Sequence, residues 1–104
     1  MTNITTASRG GGNKFNETNK IIAEHVIRAV DAFLNGTCSA DEANTVVDRE
    51  IDRIDENDSI AGENRIVTFI SRCRMLSAQL LGDGDRFDVL ETRNLIAKRA
   101  GLKG

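Results

Sequence analysis

No proline interrupts this chain of 104 residues, and its nine glycines fall mostly between stretches of apolar side chains spaced three and four apart. Helix interiors tolerate these two residues least, so the pattern points to helices joined by glycine-marked turns. The chain is long enough for one domain with a modest core. With four Phe and neither Trp nor Tyr, that core must be built from Leu, Ile, Val and Ala. The apolar fraction of 39% is low for a globular domain. Self-association is one way for so thin a core to gain buried area, and a homo-oligomer, most simply a dimer, is expected.

Residues 1–14 (MTNITTASRGGGNK) carry only Met1 and Ile4 as large apolar groups. Too little can be buried there to offset ordering, so a flexible tail is expected ahead of a single α-helical domain over 15–104. The first helix should run from Asn16, as N-cap, to Asn35, with Gly36 just beyond its end. Its two adjoining stripes, Ile22, Val26, Ala29, Phe33 and Ala23, Ile27, Val30, Leu34, cover close to half the cylinder, which suits packing on two neighbours.

The second helix opens at a capping box, Ser39-x-x-Glu42. Its narrow seam, Ala43, Val47, Ile51 and Ile54, suggests packing mainly on one side with an acidic face to solvent. The stretch 55–64 (DENDSIAGEN) breaks the pattern. A third helix is expected over about Glu63 to Leu81, with Ile66, Phe69, Ile70, Cys73, Leu76 and Leu80 inward. Val67, Ala78 and Leu81 widen that face, which marks this helix as central. The fourth starts at Asp85, with Asp88 three residues on, and ends at Gly101. The expected fold is all-α: a small four-helix bundle or paired helical hairpins behind a disordered N-terminal tail.

Charge is sorted along the chain. Residues 41–64 hold nine acidic and two basic side chains, a net of −7, whereas 65–104 hold eight basic and four acidic, a net of +4. Such asymmetry speaks of partners rather than of fold. Asp48, Asp52, Asp55 and Glu56 read as one exposed acidic face and the expected contact surface for a protein partner with a basic surface. The opposite reading, nucleic-acid association, rests on Arg65, Arg72, Arg86, Arg93, Lys98 and Arg99. It is the weaker one, because nucleic-acid binders usually carry a strong basic excess and aromatic stacking platforms, and this chain nets −2.

Reactive chemistry finds no foothold. Asp55, Asn57 and Ser59 match the first ligand positions of a calcium loop, but Ile60 and Ile66 occupy the positions that need glycine and a bidentate glutamate. Asp83-Gly84-Asp85 fails the same test at Asp88 and Asn94. His25 is the only histidine, and no ligand spacing supports zinc. It falls at the border of the first helix's apolar stripe, as a boundary or interface residue would. Cys38 and Cys73 form no CxxC pair and read as small apolar residues with free thiols in a reducing compartment. No nucleophile, base and orienting group can be named together. Neither metal nor cofactor is expected, and the protein is expected not to be an enzyme. There is no secretory leader and no apolar run near the roughly 20 residues that span a bilayer, so a cytoplasmic protein without membrane contact is expected.

One local resemblance exists. Leu95-Ile96-Ala97-Lys98-Arg99-Ala100-Gly101-Leu102 resembles the first helix and turn of a helix-turn-helix, as in repressors of the TetR and LacI families. The resemblance implies a recognition helix entering the major groove after the turn. It covers eight residues, and only Lys103 and Gly104 follow. The segment is therefore read as a glycine-terminated helix end without sequence-specific DNA reading. The expected function is that of a small non-enzymatic regulator of adaptor, inhibitor or antirepressor type, which occupies a partner's surface. A compact, motif-free chain of this kind suits a bacterial or phage protein.

Overall fold

The computed structural model describes residues 15–58, 63–82 and 85–102, with the side chains of residues 63–65 left out. The tail expected over 1–14 lies outside them. Four helices follow in order: α1 (Glu17–Leu34), α2 (Ala40–Ile51), α3 (Glu63–Leu81) and α4 (Arg86–Ala100). No strand occurs among the described residues. Each helix packs on the next in sequence, and α4 closes the ring against α1. The result is an up-down-up-down bundle, the arrangement that short helix connections favour.

Local chemistry sets most helix ends. Asn16 caps α1 by accepting from the Asn19 amide at 2.9 Å. The Ser39 capping box is complete: Ser39 Oγ accepts from the Glu42 amide at 3.1 Å, and the Glu42 carboxylate accepts from the Ser39 amide at 2.8 Å. Asp85 caps α4. At the far ends Gly36 and Gly101 both take φ of 79°, a left-handed turn that side chains with Cβ rarely adopt.

The core is aliphatic around one aromatic pair, Phe15 and Phe69, whose centroids lie 4.8 Å apart. Val26, Val30, Val47, Phe69, Leu76, Val89 and Ile96 are fully enclosed. Two packing expectations need correction. Val67 and Leu81 are 57% and 62% exposed and Ala78 is exposed as well, so α3 is not a central helix; it has two neighbours like the others. Conversely α2 packs on two sides, against α1 and α3, and its contact with α3 includes polar bonds that apolar spacing does not show. Asn44 Nδ2 donates to Ser77 O at 3.1 Å and to Ser77 Oγ at 2.6 Å, and Ser77 Oγ donates to Asp48 at 2.6 Å.

A buried polar clasp ties the start of α1 to the segment after α2. Asn19, fully buried, donates to Asp55 O at 2.9 Å and Asp58 Oδ2 at 3.1 Å and accepts from the Asp55 amide at 2.8 Å. Asn16 adds its own amide to Asp58 at 2.7 Å and its side-chain nitrogen to Asp55 at 2.9 Å. None of the described helices is long and apolar enough to cross a membrane.

The two cysteines are free and differ in surroundings. Burial pushes the Cys73 thiol from 9.0 up to about 12, whereas Cys38 is half-buried and donates to Ala29 O at 3.8 Å. A disulfide-exchange reagent at about pH 8 should modify Cys38 alone in the folded chain and both thiols after unfolding, since thiolate is the reacting form. The sign of the pH effect follows. Stability is unaffected by Cys73 below 9.0 and falls as pH rises from 9.0 towards 12, where only the unfolded chain ionises it. Equal labelling of both thiols in the folded state would contradict this burial.

Candidate interaction surfaces

The four acidic residues expected to share one exposed face do not form a helical row. α2 ends at Ile51, with Asp52 as its C-cap. Asp55 and Glu56 lie beyond it. Asp55 gives its carboxylate to Asn16 and to the Asn57 amide, at 2.9 and 3.0 Å. Asp48 accepts from Ser77. Asp52 and Glu56 are exposed. Asp55 is half-buried and bonded within the fold, whereas Asp48, although it accepts from Ser77, is exposed like Asp52 and Glu56.

The basic residues also divide. Arg86 donates to the carbonyls of Phe33 and Leu34 at 3.2 and 2.8 Å and stacks 4.9 Å over the Phe33 ring. It thereby satisfies carbonyls at the C-terminal end of α1, where a cation also suits the helix dipole. Arg93 grips Asp31 through two parallel bonds of 2.9 and 3.0 Å. Arg72, Lys98 and Arg99 converge with Leu95 on a depression of about 260 Å³ between α3 and α4. Arg65 sits on α3, and its side chain lies outside the described residues.

Sequence reasoning missed a set of exposed apolar side chains. Among the described residues seven large apolar side chains are exposed, and six of them, Val67, Met75, Leu81, Phe87, Leu90 and Leu95, lie on α3 and α4. Phe87, at 65% exposure, and Leu90 line a groove of about 690 Å³ against Leu34 of α1, with Asp31, Arg86 and Arg93 in its walls. A signal existed: Phe87 and Leu95 fit no inward row of the fourth helix, which carries apolar residues all round.

The second missed feature is Glu50, 2% exposed. Its carboxylate faces His25 Nδ1 at 3.3 Å, Arg53 Nη1 at 3.5 Å and Arg49 Nε at 3.9 Å. The pattern Ala43, Val47, Glu50, Ile54 runs in steps of four, three and four, so Glu50 stands on the inward seam of α2. No group of three or more His, Cys, Asp or Glu side chains fit to hold a metal ion occurs among the described residues. Comparison with protein-family models, curated proteins and solved structures finds no match.

The division of the acidic residues is measurable. Asp55→Ala should lower unfolding stability by about 1 kcal/mol, because it strips the half-buried Asn16 side chain of its acceptor and removes the bond to the Asn57 amide. Asp52→Ala and Glu56→Ala should each stay within about 0.5 kcal/mol, as surface changes do. Equal effects in urea unfolding would show that Asp55 is as free as its neighbours.

Proposed function

We propose that the protein is a small non-enzymatic binding module that acts by occupying another protein's surface, with the groove between α1 and α4 as its contact. The observation that carries this is Phe87, an aromatic exposed at 65% beside Leu90 in an open groove. Exposed apolar clusters of this kind mark interaction sites. An aromatic anchor flanked by arginines is the composition from which binding hot spots are drawn. Arg86 and Arg93 are already held by α1, so the groove walls are ordered before a partner arrives and less entropy is lost on binding.

The occupant is a protein with an apolar ridge to seat against Phe87 and Leu90. A second copy of this chain is one such protein, which keeps the homodimer within the same reading. The acidic residues expected as the contact are weaker candidates, since Asp48 and Asp55 have carboxylates already bonded to Ser77 and Asn16; Asp52 and Glu56 remain exposed to meet a basic patch. Regulation in the cytoplasm belongs to this proposal as its setting.

The second reading, nucleic-acid association, is favoured by one observation: Arg72, Lys98 and Arg99 share a pocket. Against it, Arg86 and Arg93 serve α1, which leaves a short basic track, and binding through it should fall steeply with salt.

Phe87→Ser with Leu90→Ser should abolish capture of a protein partner, or dissociate a dimer seen by light scattering, without changing the helical signal. Undiminished capture or assembly by this variant would reject the α1–α4 groove. Loss with Asp52→Asn and Glu56→Gln instead would return the contact to the acidic segment. A catch that disappears on nuclease treatment would favour the second reading.

A further inference from the structure

The groove between α1 and α2 has a composition that the charge map of the chain conceals. Its segment 41–64 nets −7, yet the walls of this cavity of about 460 Å³ carry Arg28, Arg49, Arg53 and His25 around the single carboxylate of Glu50. A smaller cavity of about 190 Å³ continues it past Ile21, which is exposed. Glu50 is buried, and its carboxylate lies 3.3 Å from His25 Nδ1 and 3.5 and 3.9 Å from one edge of Arg53 and of Arg49. Arg49 and Arg53 are each 63% exposed. A guanidinium has five N–H donors, so the donors not turned towards Glu50 open outward. Arg28 makes no ion pair among the described residues and turns between this groove and a depression lined by Glu24 and Asp31.

We infer that this groove is a binding site for a phosphate monoester, with Arg28, Arg49 and Arg53 as its donors and Glu50 as the residue that positions two of them. Charge decides the ligand class. Three guanidinium groups against one carboxylate leave a surplus of two with His25 neutral, and a phosphate monoester carries about −1.5 to −2 at neutral pH. Geometry agrees, because guanidinium forks bind phosphate oxygens in pairs. Glu50 cannot contact the anion favourably. Its part is to hold Arg49 and Arg53 side by side against their mutual repulsion, so that the site exists before the ligand arrives. The site lies on the opposite side of α1 from the Phe87 groove and does not depend on the protein-docking reading.

The test is a two-dimensional NMR titration of the full chain with inorganic phosphate, O-phosphoserine and acetate, at constant ionic strength. Saturable shifts in the α1–α2 groove with both phosphates and none with acetate are expected. Arg28→Gln leaves the partners of Glu50 in place and should weaken binding about tenfold, the effect of losing one charged contact. Arg49→Gln with Arg53→Gln should abolish it, and an unchanged Arg28→Gln fold keeps the result readable if that double variant unfolds. Tighter binding of phosphoserine than of inorganic phosphate supports a ligand carried on a larger molecule; equal binding supports a free phosphate. No saturation, equal response to acetate, shifts spread equally over Arg72, Lys98 and Arg99, or full affinity in Arg28→Gln would each overturn the site.

Discussion

Asn19 is the residue on which the arrangement of this small bundle turns. A fully buried amide is costly unless each donor and acceptor is matched, and here its oxygen and both N–H groups are matched, all by the segment Asp55–Asp58. That segment has no regular structure of its own, and its backbone and carboxylates find in Asn16 and Asn19 the partners a helix would have supplied. The clasp fixes where α2 hands the chain on towards α3. It also converts Asp55 and Asp58 from free charges into acceptors with assigned donors.

From this constraint follows the distribution of surfaces. Polar staples close three of the four helix contacts: the clasp and Glu50 between α1 and α2, Asn44 with Ser77 and Asp48 between α2 and α3, Arg86 and Arg93 between α4 and α1. These staples supplement a core with few aromatics, and they draw both acidic and basic side chains into structural work. What remains outside is unlike the linear charge map. The α3–α4 hairpin shows exposed apolar groups beside a short basic track, and the acidic second helix bears a cationic groove on its α1 side.

Helices, caps and turns were legible in the sequence because each rests on local chemistry: the Ser39–Glu42 box, Asn16 and Asp85 as N-caps, glycines at positive φ. The inward faces of α1 and α3 were legible from apolar spacing for the same reason. Packing through polar residues was not. Asn44, Asp48 and Glu50 look like solvent residues by type, yet their partners are Ser77, His25, Arg49 and Arg53, and all but Arg49 and Arg53 of these partners lie on other helices. The acidic row failed as a row because helical spacing was carried past Ile51, where α2 ends. Of the expected cations, Arg86 and Arg93 turned out to be bonded by contacts more than fifty residues distant in sequence, which no local pattern displays.

The most direct measurement is native-state hydrogen exchange at the amides of Asn16 and Asp55. Each donates to a side chain on the far side of the clasp, Asn16 to Asp58 and Asp55 to Asn19. If the clasp organises the fold, both amides should be protected to nearly the same degree as the helix interiors, opening only with the whole domain. Exchange of the Asp55 amide at the rate of an unstructured peptide, while the helices stay protected, would mean that the acidic segment is free after all and that the account built on Asn19 is wrong.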